Sequence, residues 1–122
     1  NFEQSDFWSG LRDHRLAFFA SDLPLWRVAL PPAAPPLALD ALTCVDWGGT
    51  QRWLLTRADV STVRAEAARL GGHATVFNGG SGPPDTQPFQ PLASPLRALH
   101  KRLKDAFDPA GILNPGRMYI DL

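Results

Sequence analysis

One cysteine, one methionine and one tyrosine are all that the 122 residues contain of those types. With Cys44 alone, an internal disulfide framework and a cysteine-based metal centre are excluded, and the chain suits a reducing, cytoplasmic compartment. An excess of one charge is lacking as well. Twelve Lys and Arg balance twelve Asp and Glu, so no bulk field draws in nucleic acid or an acidic membrane. No apolar run approaches the ~20 residues that span a bilayer, and no secretory leader is legible. The three histidines are too scattered to form a metal-ligand set. The chain also lacks a glycine-rich strand–turn–helix to cradle a pyrophosphate, and the basic–aromatic string of an RNA-binding sheet.

What is present is ordinary globular composition, 44% hydrophobic and 20% charged, sufficient for one core and one domain over residues 1–122. Proline is in excess. Of the twelve prolines, nine cluster at 31–36 and 83–95, and the chain opens at Asn1 directly before a helix-like segment. Both features lead us to expect an excised domain.

Periodicity gives the elements. Residues 5–19 read as a helix capped by Ser5 or Asp6, with Phe7, Leu11 and Phe18 at helical spacing. Leu25 to Leu30 reads as a strand stopped by Pro31 and Pro32. The stretch Pro31–Asp40, with four prolines, admits at most a short helix started by Pro35 and Pro36. Leu42–Val45 and Gln51–Leu55 flank a Gly48-Gly49 turn signal and read as a hairpin, with Trp47 as its anchor. Thr56 to Asp59 has the form of a capping box before a helix. That helix turns Val60, Val63, Ala67 and Leu70 inward and Arg64, Glu66 and Arg69 to water, and Gly71-Gly72 stops it. His73–Phe77 is a short strand, followed by a loop to Pro91. Ser94 and Pro95 open a last helix whose buried stripe is Leu96, Leu99, Leu103 and Phe107, ended by Asp108-Pro109. The order predicts an α+β fold: a ferredoxin-like βαββαβ antiparallel sheet with helices on one face, flanked by N- and C-terminal helices.

The tail from Ala106 to Tyr119 (Ala-Phe-Asp-Pro-Ala-Gly-Ile-Leu-Asn-Pro-Gly-Arg-Met-Tyr) is the most specific string. It resembles the terminal signature of FAD-linked oxidases of the vanillyl-alcohol oxidase type, where a helix ends in D-P-x-G-I-x-N-P-G-[KR]. Gly72 to Phe77, Val45 to Gly49 and the Leu-Trp-Arg-Val-x-x-Pro-Pro pattern at 25–32 further resemble the E-subunit family of glycolate oxidases. The resemblance implies the C-terminal, substrate-side domain of a subunit whose N-terminal FAD-binding domain lies outside these residues. It implies FAD in the intact subunit, and as partners a catalytic FAD subunit and an iron–sulfur subunit, with peripheral association at the inner membrane through that complex. The implied reaction is oxidation of glycolate to glyoxylate, with electrons passed onward, and the chain alone is expected to show no flavin chemistry. The histidine strings H-x-x-G-D-G-N-x-H and G-E-H-G of related catalytic subunits do not occur, so no catalytic residue is assigned here. The competing reading is a non-catalytic ferredoxin-like interaction or regulatory module.

By chemistry alone, Asn114-Pro115-Gly116-Arg117 is a rigid turn that returns the chain to the domain body. The resemblance implies instead that Asn114 and Arg117 hydrogen-bond the flavin ring. Arg27 and Arg52 are candidate clamps for a substrate carboxylate. Each alternates with a neighbouring Trp, so if the Trp packs against helices the Arg faces outward. His73, at a strand start, is a candidate base or, more simply, a strand-end hydrogen-bonding group. His14 and His100 are read on exposed helix faces. Arg97, Lys101, Arg102 and Lys104 are read as a solvated face of the last helix.

Overall fold

The computed structural model describes residues 2–83 and 86–122, with residues 2–5 by backbone alone. The chain divides into two compact units, one running to Thr86 and the other Gln87–Leu122.

In the first unit four strands form, β1 (Leu25–Ala29), β2 (Leu42–Asp46), β3 (Gln51–Leu55) and β4 (His73–Asn78). They make one fully antiparallel sheet in the order β2-β3-β1-β4. The α+β class and the βαββαβ connectivity are those expected, with one crossover lacking its helix. Strand alternation separates two apolar sets. On the inner face Trp26, Val28, Leu54 and Ala74 pack with Val63 and Ala67 of a helix at Val60–Arg69, and all six are buried. On the outer face Leu25, Trp53 and Leu55 form a second cluster.

The first crossover departs from expectation. Residues 31–41 contain no helix. Prolines at 31, 32, 35 and 36 remove amide donors and bias the preceding residues away from helical dihedrals. Orphaned backbone groups therefore go to side chains of the sheet and helix. Arg52 Nη1 donates to the Pro35 carbonyl at 2.7 Å, and its Nη2 to the Ala34 carbonyl. The Ala38 amide donates to Glu66 at 2.7 Å, and Thr56 Oγ1 to the Asp40 carbonyl at 2.8 Å. Ala34, Leu37, Leu39 and Ala41 then cover the inner core as a helix would. Arg52 consequently points inward, and Glu66 is a tie rather than a solvated residue. Its carboxyl is drawn down to about 2, first by the Arg69 guanidinium and then by the Ala38 amide.

We number the helices α1 (Phe2–Arg12), α2 (Val60–Arg69) and α3 (Ser94–Phe107). The expected capping box does not form. Asp59 is the N-cap of α2 without a side-chain bond, while Thr56 Oγ1 accepts from the Ala58 amide at 3.1 Å. The stop does form: Gly71 has φ +80°, and the amides of Gly71 and Gly72 donate to Ala68 and Ala67, each at 2.9 Å. A Cβ on Gly72 would lie 1.9 Å from the Ala29 carbonyl oxygen, so only glycine lets α2 and β4 meet there.

Helix α1 starts before Ser5 and ends at Arg12, so Asp6 is inside it, and the Ser5 side chain lies outside the described residues. Phe18 and Phe19 belong to a separate short turn, Ala17–Phe19. They pack on the outer face with Leu23. His14 takes a left-handed conformation (φ +54°) beyond the helix and stacks on Phe19 at 4.2 Å, edge-on to Trp53 at 4.6 Å. It is a half-buried member of an aromatic cluster, not an exposed helix residue. The hairpin is anchored by Asp46, which accepts from the Trp47 amide at 2.8 Å, and by Thr50 Oγ1, which donates to the Trp47 carbonyl at 2.7 Å. The Trp47 indole itself is 75% exposed.

The second unit holds α3. Its N-cap is Ala93, with Ser94 and Pro95 as the first helical residues. Leu96, Leu99, Leu103 and Phe107 share a stripe as expected, but all four stay exposed, Phe107 at 81%. The periodicity was legible in the sequence, and the burial it suggested is not found. No helix among those residues is long and apolar enough to cross a membrane.

Candidate functional site

The second unit is organised around a carboxylate that sequence reading passed over. Asp108 closes α3 and is buried. Its Oδ2 accepts from Lys104 Nζ at 2.7 Å and from the Leu113 amide at 2.9 Å, and its Oδ1 accepts from the Ile112 amide at 3.1 Å. The Lys104 ammonium and then the Leu113 amide hold this carboxyl below the usual carboxylate range. Lys104 Nζ donates a second bond to the Leu113 carbonyl. The Asp108 carbonyl accepts from the Gly111 amide at 2.9 Å, where φ is +64°. The signal in the sequence was a Lys and Asp four apart at a helix end, followed directly by Pro.

From Leu113 the chain enters the closing turn. Asn114 has φ +47° and Gly116 φ +70°. Asn114 is one of the residue types that tolerates the left-handed region. The Gly116 amide donates to the Leu122 carbonyl at 2.7 Å, and Tyr119 Oη donates to the Gln90 carbonyl at 3.2 Å. Arg97 pairs with Asp121, so the last residues are tied back to α3. Of the basic residues read as a solvated face, Arg97, Lys101 and Arg102 are exposed and Lys104 is half-buried; Arg97, Lys101 and Lys104 also pair with Asp121, Asp105 and Asp108.

Between α3 and this turn lies an open hollow of about 400 Å³, lined by His100, Lys104, Asn114, Arg117 and Tyr119 with Leu113 beside them. His100 is half-buried here, its ring 6.4 Å from that of Tyr119, and is not on a freely exposed face. Residues 114–117 are exposed rather than folded into a core. Among the described residues, neither the Asn114 amide nor the Arg117 guanidinium has a hydrogen-bond partner. The hollow thus presents donors and positive charge, while the one nearby buried carboxylate is already neutralised by Lys104. Such a set suits the carbonyl oxygens and ring nitrogens along one edge of a flavin. It does not suit a whole dinucleotide, for which a pyrophosphate cradle would be needed.

The remaining candidates lie in the first unit. Arg27 pairs in register with Trp53 and Thr75 and is exposed on the outer face. His73 pairs with Ala29, which puts it on the same face, diagonally next to Arg27. Arg52 is on the opposite face, with both terminal nitrogens engaged. The rule that each Arg opposes its Trp holds for both pairs. The two tryptophans, however, face opposite ways, Trp26 inward and Trp53 outward, which separates the arginines.

Residues 93–118 match the family described as FAD linked oxidases, C-terminal domain. The matched stretch begins at the N-cap of α3 and includes His100, Lys104, Asp108, Asn114 and Arg117. Over 116 residues, 95% of this chain, the sequence is 43% identical to glycolate oxidase subunit GlcE of Escherichia coli (strain K12). The chain spans about a third, 32%, of that relative's length. No solved structure matches. The resemblance carried by the tail and by the internal strings is borne out: this chain is similar to the C-terminal part of an FAD-linked oxidase and to a glycolate oxidase subunit.

Proposed function

We propose that this chain is the single C-terminal domain of an FAD-linked oxidase subunit, and that its closing turn meets the flavin ring held by the rest of that subunit. The carrying observation is that Asn114 and Arg117 stand exposed and unpaired at the mouth of one hollow, next to the uncovered stripe of α3. An apolar stripe beside free donors fits a surface that a second domain covers, since large exposed apolar patches are uncommon on monomers.

When bound, FAD supplies the two-electron acceptor for converting a 2-hydroxy acid to a 2-oxo acid, here glycolate to glyoxylate. The chain's own residues act on position and charge. The Asn114 amide donates to a polar atom of the ring, and the Arg117 guanidinium places positive charge where reduction builds negative charge, which raises the ring's affinity for electrons. On the sheet, Arg27 has the fork geometry to take a substrate carboxylate, with His73 beside it as a second donor. Electrons would pass onward through a catalytic FAD subunit and an iron–sulfur subunit in a complex peripheral to the inner membrane. Without the flavin-holding domain, the chain performs no flavin chemistry.

The test is Asn114→Ala in the full-length subunit, following flavin retention and midpoint potential. Weaker retention or a lower potential is expected. Unchanged values for both would remove the reading.

A further inference from the structure

Behind Asn114, at the end of α3, stands a hydrogen-bonded pair, Lys104 and Asp108. Leu113, immediately before Asn114, is gripped at both ends of its peptide: its amide donates to Asp108 Oδ2 at 2.9 Å, and its carbonyl accepts from Lys104 Nζ. Lys104 and Asp108 are bonded to each other at 2.7 Å, so the grip is a closed ring of three contacts. Both ends are anchored in α3, at its last full turn and its C-cap. Asp108 also takes the Ile112 amide, a further backbone anchor just before Leu113. Past Leu113 the chain turns at once through a left-handed Asn114, where a small rotation before the turn would swing the side chain away from the hollow.

We infer that Lys104 and Asp108 are positioning residues for the flavin-facing turn, fixing the backbone at Leu113 so that the Asn114 amide is aimed at its partner. The inference rests on the reading that Asn114 contacts the flavin. Its physical basis is the charge-assisted hydrogen bond, which is shorter and stronger than a neutral one and is little exposed here, Lys104 being 26% and Asp108 6% exposed at the side chain. A carboxylate is required. It accepts three donors through two oxygens, whereas an amide at the same place offers one oxygen and turns an N–H toward the donors.

The experiment uses the full-length flavin-loaded subunit and reads midpoint potential and visible flavin absorption alongside thermal melting. The variants are Lys104→Met, Lys104→Arg, Asp108→Asn, Asn114→Ala and the double change Lys104→Met with Asn114→Ala. Lys104→Met and Asp108→Asn are expected to shift the potential in the direction of Asn114→Ala, by a comparable amount. Lys104→Arg, which keeps a cation able to reach both oxygens, should restore most of it and serves as the measurement if Met at 104 or Asn at 108 prevents folding. In the double variant the Lys104 change should add nothing further to the potential, because it acts only through Asn114. A shift in Asn114→Ala with none in the Lys104 and Asp108 variants, or an additive double variant, overturns the positioning role. No shift in Asn114→Ala overturns the flavin contact itself.

Discussion

Arg52 Nη1 lies 2.7 Å from the carbonyl oxygen of Pro35, and through that bond the sheet holds a crossover that has no helix of its own. Four prolines in ten residues deny the segment its own ladder, so the guanidinium fork, with Glu66 and Thr56, takes over the satisfaction of backbone groups. The arginine reads as a clamp for a substrate carboxylate in the sequence, and in the fold it clamps two carbonyls instead.

Replacing it therefore acts on stability. Arg52→Leu removes the donor to the part-buried Ala34 and Pro35 carbonyls and should cost about 1 kcal/mol, the usual net worth of a hydrogen bond. Arg52→Lys should recover little, since one ammonium does not reproduce a planar fork. Urea unfolding measures both, and a lysine variant as stable as the parent would contradict this account.

Gly72→Ala is expected to destabilise by about 3 kcal/mol or more, because backbone rather than a flexible side chain stands in the way of the new Cβ. Gly71→Ala, where the nearest atom is 3.7 Å away, carries only the strain of a positive φ and should cost about 1 kcal/mol. Thermal unfolding of the two variants tests the ranking.

Glu66 gives a pH dependence with a fixed sign. Its folded value is about 2 against an ordinary 4.5, so the folded state holds fewer protons than the unfolded one in that window. The stability it contributes is complete above pH 4.5 and fades as pH falls toward 2. Glu66→Gln should be less stable than the parent at neutral pH, and the gap should close across that window in parallel urea titrations. A gap that stays constant with pH would exclude the linkage.

The stripe of α3 predicts association. At high concentration this chain should self-associate in sedimentation, and Leu99→Lys with Leu103→Lys should restore a monomer without lowering the melting temperature. Both leucines are exposed, at 42% and 49%, and the apolar stem of a lysine can lie over the part of each that the chain covers. A parent chain that stays monomeric would count against a covered stripe.

Much of this was legible before any coordinates. Apolar runs stopped by Pro31-Pro32 and flanking the Gly48-Gly49 turn gave the strands, helical spacing of Val63 and Ala67 gave the packed face of α2, and Gly71-Gly72 gave its stop. The tail string gave the rigid turn at 114–117, because its Pro and Gly constrain dihedrals locally. What could not be read was long-range pairing. Arg52 with Pro35, Glu66 with Ala38, His14 with Trp53 and Tyr119 with Gln90 are separated by 17, 28, 39 and 29 positions.

Local chemistry, then, was settled by the sequence itself: which segments extend, where Gly71-Gly72 stops α2 and Asp108-Pro109 ends α3, and that a rigid donor-bearing turn follows the last helix. These depend on dihedral preferences and side-chain periods acting within a few residues. Only the tertiary structure decided which way each strand faces. That choice sent Arg52 inward and Arg27 outward, bound the proline segment to α2, and left the leucines of α3 uncovered. The reason is that burial is a property of what lies opposite a side chain, and a period of two or 3.6 specifies a face without naming the surface it will meet.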